Sequence, residues 1–591
     1  MSTDSVNPNG DVWEKLAHVE NWVKRRYLIL EKAFGSRQFT LSEAEETLRK
    51  AGVETGSVKE LLSILQKHGL VSVEKYALDR RHSIYRLVIP TEREVTRDRL
   101  FRALKAGADL IRGGVDYKVL LLFLFYKAIS DKWQAVVKKY VSEGNTLTQA
   151  YLLANREYFV LYDEDEQQLL TWHEITKKRD TLREITNALL KIAELNEGVR
   201  ELSKLVEVLG LTGFISEDNM TILEGIVRLY NQLDLSQVDY DILGDAYQWI
   251  LGYFAPQRAK EGEVYTPREV IRLMVRLLDI ENGSTVLDPA AGSASMLIES
   301  YKYVRSKLLQ EGEGPAEPDL MLYAQERNEI TAIMAKLNLL LNNIKDFELY
   351  VGDSLLNPRF PEADYVLANP PWNQDGYGEE TLSRDPRLRK IYKYGYPPDN
   401  TADWAWIQLM LAYTQKKMAV VIDQGALFRE GREKEIRKKV VEDDLLDAVV
   451  LLPEKLFYNT QAPGVILVFN KQKPLERKGK TLFINASNEY EPHPEVRRLN
   501  RLGDANIEKI VNAYREYRDV PGFAKVVTLD EIRKNGYNLN VTLYVTPQLD
   551  AEEVDLEKEF QELLEVNRQV EEAMAKAMQY IQQVIQANRQ I

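Results

Sequence analysis

The sequence predicts an α/β protein built on a doubly wound, mainly parallel sheet with an antiparallel last strand. Three observations predict it. From Asp241 onward, short apolar runs alternate with amphipathic helical patterns, which is how successive β-α-β units read. The last two runs, LLDAVVLL and APGVILVF, are joined only by PEKLFYNTQ. That connection is too short for a crossover helix, so the second of the pair must run antiparallel to its neighbour. At 591 residues the chain also exceeds one ordinary core, so other domains must accompany the sheet.

Taken in order, residues 1–92 form a winged-helix-like module. A helix is expected over Trp13 to Phe34, and a second after Thr40. A third is capped by Ser57 with Glu60 and closes at His68-Gly69. LVSVEKY and IYRLVI then form a hairpin around the basic turn Asp79-Arg80-Arg81-His82. Such modules bind DNA or dock proteins; the third helix offers only Lys59 and Lys67 as cations, which favours docking. Residues 93–235 are helical by periodicity. Residues 236–546 hold the sheet, with strands at STVLD, MLYAQE, FELYVGD, DYVLANP, MAVVID and the final pair. Residues 547–591 read as one long helix. Apolar positions from Leu556 through Phe560, Leu563, Val570 and Ile581 to Ile591 alternate steps of four and three, with Asn567 and Asn588 as polar registers. That seam predicts a coiled coil with a partner helix.

Composition removes several classes of function. No run of eighteen apolar residues occurs, and MSTDSVNPNGD has no secretion-signal pattern, so a cytoplasmic protein with no membrane role is expected. With no cysteine and five scattered histidines, no metal site is predicted. Lys478-Gly479-Lys480-Thr481 imitates the tail of a phosphate loop, but Pro474 stands where its first glycine belongs. The net charge of −13 is wrong for a protein that grips DNA alone. Either nucleic acid is not a ligand, or a partner supplies the grip.

Ligands of open α/β sheets bind at the carboxyl ends of strands, and three successive strand ends carry polar residues. The first ends in Asp288-Pro289-Ala290-Ala291-Gly292-Ser293, a small-residue turn into a helix. The second ends in Glu326, placed to accept from ribose hydroxyls. The third ends in Gly352-Asp353, where a carboxylate can receive an exocyclic amine. Each acid alone is as well explained as a helix cap; together they suggest a nucleoside site. The fourth strand ends in Asn369-Pro370-Pro371-Trp372. Two prolines after a buried strand can neither extend a ladder nor start a helix, so they fix a rigid hook. A polar Asn before the hook and an aromatic after it suit an enzyme that extracts a base, stacks it and reads its edge.

That tetrapeptide resembles the catalytic motif of amino-group DNA methyltransferases. The chain from about Leu100 to Val545 resembles the methylation subunit of type I restriction–modification systems. The likeness is carried in order by LFRALKAGADLIRGGVDYKVLLLFLFYKAISDKW, DILGDAYQWILGYFA, GEVYTPREVIRLMVRLL, VLDPAAGS, YAQERNEITAIMAKLNLLLNNI, VLANPPWN and EIRKNGYNLNVTLYV. It implies a Rossmann-like S-adenosylmethionine-dependent methyltransferase fold, with adenine N6 of DNA as the target. Tyr265, Thr266 and Pro267 would lie along the cofactor's methionine portion. Asp288, Gly292 and Ser293 would form the first cofactor loop, Glu326 would hold the ribose, and Asp353 the cofactor's adenine. Asn369, beside the cofactor, would act with Pro370, Pro371 and Trp372 on the target base. The implied partners are double-stranded DNA, a separate specificity subunit and a second copy of the methylation subunit, with the restriction/translocation subunit left open. The terminal helix is the candidate grip on the specificity subunit, and a prokaryotic cytoplasm is the implied location.

One departure stands out. The family has Gly-x-Gly-Gly in the first loop, where this chain reads Gly292-Ser293-Ala294-Ser295. A methyl group where backbone should approach the ligand predicts weaker cofactor binding. Alanine is small enough that activity is expected to survive, but the altered loop keeps open an inactive scaffold that binds DNA or partners. Within the same chemistry cytosine N4 stays open as a target, although Asn with Trp in the hook leans towards adenine. No metal-carboxylate cluster supports a fused nuclease in residues 1–235.

Overall fold

The computed structural model describes residues 19–35, 37–53, 58–75, 83–88, 96–111, 114–213, 215–260, 265–310, 317–458, 460–493, 496, 498–546 and 556–588. The N-terminal module comprises α1 (Asn21–Phe34), β1 (Gln38–Thr40), α2 (Leu41–Lys50), α3 (Val58–Lys67), β2 (Val71–Lys75) and β3 (Ser83–Leu87). Thr40 and Glu43 make a reciprocal capping box on α2, which satisfies two otherwise orphaned N–H groups. Leu61, Leu62 and Leu65 bury one face of α3. The strands form an antiparallel sheet in the order β1-β3-β2. β1 was not expected, because QFT is too short to show an alternation. Ser57 and the turn 79–82 lie outside the described residues.

The helical region contains α4 (Arg97–Ile111), α5 (Lys118–Ser142), α6 (Glu217–Asn231) and α7 (Tyr240–Tyr253). The run VLLLFLFY lies wholly buried on α5; a helix apolar all round its axis belongs inside a bundle. A two-residue ladder, Tyr162–Asp163 with Gln168–Leu169, interrupts the helices. Lys24 on α1 pairs with Asp109 on α4 at 2.8 Å, fastening the N-terminal module to this bundle.

The central sheet has nine strands. They are β4 (Ser284–Asp288), β5 (Leu320–Glu326), β6 (Phe347–Val351), β7 (Ala363–Ala368), β8 (Thr414–Asp423), β9 (Leu446–Leu451), β10 (Gly464–Asn470), β11 (Lys480–Asn485) and β12 (Ala524–Thr528). Their order is β12-β11-β9-β10-β8-β7-β4-β5-β6. The six from β4 to β9 run one way, although β9 sits beyond β10; β10 is antiparallel to both its neighbours, β8 and β9. The strand read as last, APGVILVF, is therefore inserted between two others. Two further strands follow it, β11 parallel to β9 and β12 antiparallel to β11. They went unread because KTLFIN and AKVVT are short and begin or carry a lysine, which breaks the apolar run.

Helices α8 (Arg268–Leu278), α9 (Ser295–Gln310) and α13 (Asp504–Glu516) cover one face of this sheet. Helices α11 (Asp403–Tyr413) and α12 (Arg432–Glu442) cover the other. Successive strand residues feed the two cores in turn: Val286 into one and Leu287 into the other, Val421 and Ile422 likewise. Helix α10 (Glu329–Leu341) instead turns Ile333, Met334, Leu337 and Leu341 into the core of the helical region. The sheet domain and the bundle thus share a helix, packed beside β5 and β6. The C-terminal helix α14 (Leu556–Asn588) stands apart: its described side chains, 560–578 and 581, are all exposed. No helix among the described residues is long and apolar enough to cross a membrane.

Candidate active site

A cleft at the carboxyl end of β4 and β7 is lined by Tyr265, Thr266, Asp288, Ala290–Ser293, Ser295 and Asn369. The turn after β4 is held through its main-chain N–H and C=O groups, which bond both backbone and side-chain partners. Asp288 accepts the Ala290 N–H (3.0 Å), the Ala291 N–H reaches the Gln325 carbonyl (3.0 Å) and the Ala294 N–H the Ala291 carbonyl (2.7 Å). Ser354 Oγ donates to the Pro289 carbonyl (2.6 Å). Asp288 is fully buried, and that burial pushes its carboxyl up to about 8. Glu326 ends β5 and accepts the Gly292 N–H (2.9 Å) and the Asn328 N–H (2.8 Å), so it already touches the loop it is expected to serve with. Asp353 lies one residue past Gly352. Its carboxylate accepts the Leu355 N–H (3.0 Å) and the Tyr377 hydroxyl (2.6 Å).

The departure in the first loop takes an unexpected form. Gly292 and Ala294 both have positive φ, 52° and 61°, so the second position does call for the left-handed region. The methyl of Ala294, however, is fully buried in the apolar core with Leu297 and Val270, and Ala294 does not line the cleft. Its cost is backbone strain of about 1 kcal/mol, not obstruction of a ligand. Ser295 fills its position usefully. Its Oγ meets Ser293 Oγ (2.8 Å) and donates to Gln248 Oε1 on α7 (3.0 Å), while Asn338 on α10 holds the Ser293 carbonyl (2.7 Å).

At the end of β7, Asn369 and Pro370 are buried, Pro371 is exposed and Trp372 half-buried. Asn369 Nδ2 donates to Thr266 Oγ1 (2.8 Å), and its Oδ1 accepts Trp372 Nε1–H (2.9 Å). An indole N–H can only donate, so Trp372 fixes which end of the Asn369 amide is oxygen. That oxygen keeps a second lone pair. Trp372 also donates to the Val421 carbonyl on β8 (3.3 Å) and packs edge-on to Phe457, ring centroids 4.8 Å apart. A Cβ at Gly464 would stand 3.0 Å from Trp372 and 2.9 Å from Phe457, so only glycine lets both rings lie there. Tyr265 meets Tyr458, the neighbour of Phe457, at 5.7 Å. Pro267 caps α8, whose Arg268 bonds Asp245 (2.9 Å) on α7 and Glu299 on α9 (2.5 Å).

Of the sequence-predicted residues, Tyr265, Thr266, Asp288, Gly292, Ser293 and Asn369 share the cleft. Glu326 joins it through Gly292, and Trp372 through Asn369; Asp353 stands behind Tyr377. Sequence reasoning missed Gln248, Asn338, Tyr377, Phe457 and a charged group around Arg429. Gln248 and Asn338 lie inside the resembling segments DILGDAYQWILGYFA and YAQERNEITAIMAKLNLLLNNI without a role of their own, and Arg429 stood as a charge inside GALFREG.

Comparison with known proteins gives a consistent picture. The family model described as N-6 DNA Methylase matches residues 238–553. The chain is 56% identical to the type I restriction enzyme MjaVII methylase subunit of Methanocaldococcus jannaschii, over 97% of this chain and 99% of that one. It is 48% identical to the MjaVIII methylase subunit of the same organism, over 96% and 99%. Among solved structures, the methyltransferase subunit of a type I restriction–modification system from Streptococcus thermophilus superposes with a TM-score of 0.64. That match has 26% identity and covers 76% of this chain and all of that one.

Proposed function

Because the chain belongs to the N-6 DNA methylase family, as a type I restriction–modification methylase subunit, we propose that the Asn369 hook and the cleft beside it are where this adenine-N6 DNA methyltransferase works. The N4-cytosine and inactive-scaffold readings are not favoured by this membership. The single observation that carries the reading is the Asn369 side chain, anchored through its nitrogen to Thr266 and oriented through its oxygen by Trp372.

The cleft suits S-adenosylmethionine in its chemistry. Gly292 lines it, with open space where a Cβ would stand. Glu326 and Asp353 offer acceptors to hydroxyl and amine donors, and Thr266, Ser293 and Ser295 add hydroxyls. Tyr265, Thr266 and Pro267 would flank its methionine portion, with Asp288, Gly292 and Ser293 along the loop. When bound, that cofactor supplies an electrophilic methyl group on a sulfonium. The protein's part is to prepare the amine. The lone pair of adenine N6 is delocalised into the ring. Asn369 Oδ1 and the Pro370 carbonyl would each accept one N6–H bond, favouring a tetrahedral nitrogen whose lone pair faces the cleft. Pro371 keeps the hook rigid and Trp372 offers a stacking face. Catalysis then rests on position and fixed dipoles, and no residue need remove a proton before attack.

The remaining assignments concern partners. The exposed apolar seam of α14, with Phe560, Leu563, Val570, Met574 and Ile581 all about half or more exposed, supports docking to a specificity subunit as a coiled coil, with two copies of this chain on double-stranded DNA. The net charge of −13 fits a partner that supplies much of the DNA grip. The order α1-β1-α2-α3-β2-β3 supports a winged helix, and the few cations of α3, Lys59 and Lys67, favour a docking role. We place the complex in the prokaryotic cytoplasm.

The test is methyl transfer from labelled cofactor to DNA by this chain co-purified with its specificity subunit. Asn369→Ala should lower the rate by about 10²–10³-fold, as losing one preorganised polar partner does elsewhere, with cofactor affinity retained. N6-methyladenine should be the product. An unchanged rate in the variant would sink the reading.

A further inference from the structure

We infer that Arg429 is a positioning residue for the target-base pocket, acting through Asn373 on the stacking face of Trp372. The inference rests on the proposed role of the hook.

Asn373 follows Trp372 directly and has φ of 52°, a conformation that Asn tolerates but that needs outside support in a non-glycine residue. Its support comes from three sides. The backbone N–H donates to Asp403 Oδ1 (3.0 Å) and the side-chain Nδ2 to Asp423 Oδ2 (3.3 Å). The side-chain oxygen accepts from Arg429 Nη2. Asp403 opens α11 and is buried; Asp423 closes β8, the strand on which Trp372 also rests through the Val421 carbonyl. The residue that leaves the hook is thus clamped between the helix after it and the strand beside it.

Arg429 is the cation that lets this clamp exist. Its guanidinium contacts Asp403 (2.9 Å), Asp423 and the buried Glu433 (3.4 Å), as well as Thr401 Oγ1 (3.3 Å). Three carboxylates in so small a volume repel one another and resist ionisation when buried. Burial raises the proton affinity of both Asp403 and Glu433. The planar fork of arginine can serve several acids at once, where lysine offers one compact charge. The backbone of Arg429 is itself pinned, since Arg437, fully buried on α12, donates to the Arg429 carbonyl (3.0 Å), the Ala426 carbonyl (3.2 Å) and the Tyr537 carbonyl (2.7 Å). Removing the Arg429 guanidinium leaves the like charges of Asp403 and Asp423 with no cation between them and only Asn373 bonded to both. Asn373 loses one anchor outright and two by repulsion, and the indole before it loses its fixed pose. A ring displaced by about 1 Å is enough to cost roughly 10²-fold in rate.

The experiment uses the complex with the specificity subunit and a double-mutant cycle of Arg429→Gln and Asn373→Gly. Glycine keeps the left-handed backbone and the N–H bond to Asp403 and deletes only the two side-chain anchors, to Asp423 and Arg429. Single-turnover methyl transfer should fall by about 100-fold in Arg429→Gln and clearly, though less, in Asn373→Gly. The double variant should be no slower than Arg429→Gln, because both act on one clamp. Arg429→Lys should recover part of the loss, and cofactor affinity by calorimetry should stay within about twofold of wild type throughout. Additive losses, or parallel losses of cofactor affinity and melting temperature, would show Arg429 to be an ion pair of the core and overturn the inference. Asn369→Ala is run beside them. If it abolishes transfer while Arg429→Gln transfers at the wild-type rate, this inference alone fails. If Asn369→Ala transfers normally, the reading of the hook falls and the inference with it.

Discussion

On the β4 side of the cleft, the chain is held largely through its own main-chain N–H and C=O groups, whether the partner is backbone or side chain. The turn 288–294 closes on itself, on the Gln325 carbonyl and on the carboxylate of Glu326. On the β7 side the bonds run mostly from side chain to side chain: Asn369 to Thr266, Trp372 to Asn369, Asn373 to Asp423 and Arg429. A turn held through its main-chain groups depends little on its own small side chains, and the Gly292-Ser293-Ala294-Ser295 run fits that tolerance. A hook closed by side chains has no such reserve, since each substitution deletes a strut. The two halves of one site should therefore answer mutation differently.

The largest test bears on the buried acid of the backbone-built half. With the Asp288 carboxyl pushed up to about 8 by burial, the folded chain keeps a proton that the unfolded chain has lost above about pH 4. Its contribution to stability is full below pH 4 and is lost as pH rises towards 8. Asp288→Asn removes that titration. The decline between pH 5 and pH 8.5 should shrink by about 4 kcal/mol at most, measured as denaturant midpoints of both proteins. Identical slopes would mean that the turn is not built around a protonated carboxyl.

A smaller effect is expected in the hook. Trp372→Phe keeps an aromatic face but deletes the N–H that orients Asn369. Losing one such bond costs about 1 kcal/mol, or roughly fivefold in methyl-transfer rate. A rate equal to wild type would show that Thr266 alone fixes the amide.

The smallest is expected at Ala294→Gly. Relief of strain at φ 61° is offset by a lost buried methyl and a freer unfolded chain. Stability should stay within about 0.5 kcal/mol and cofactor affinity within about twofold. Cofactor binding tightened tenfold or more in calorimetry would contradict the placement of that methyl in the core.

What could be read beforehand follows the same division. Most strands from STVLD to VILVF were legible because both faces are buried, which leaves long apolar runs in the sequence; the edge strand β6 is the exception, with Glu348 and Val351 exposed. Strands β11 and β12 lie towards the edge and carry lysines, so they read as connections. The site residues at strand ends were legible because a polar side chain after an apolar run has no packing reason to be there. Gln248, Asn338 and Arg429 were not, because each sits on a helix or loop remote in sequence, and only folding brings it to the cleft. The expectation that Ala294 would crowd a ligand failed for a related reason. The direction of a Cβ depends on the sign of φ, which residue type alone does not reveal.

The terminal helix has a further consequence, one of length. Thirty-three residues in one helix span about 50 Å, roughly the rise of ~15 base pairs of duplex. A partner that grips its far end is held at a distance fixed by residue count, and on a side fixed by the 100° step between residues. Seven residues more would move the grip by about 10 Å and keep its face; two more would turn it to the opposite side. With a partner at that end, the number of residues in α14 would set a spacing, and whole heptads would change its reach while keeping its facing.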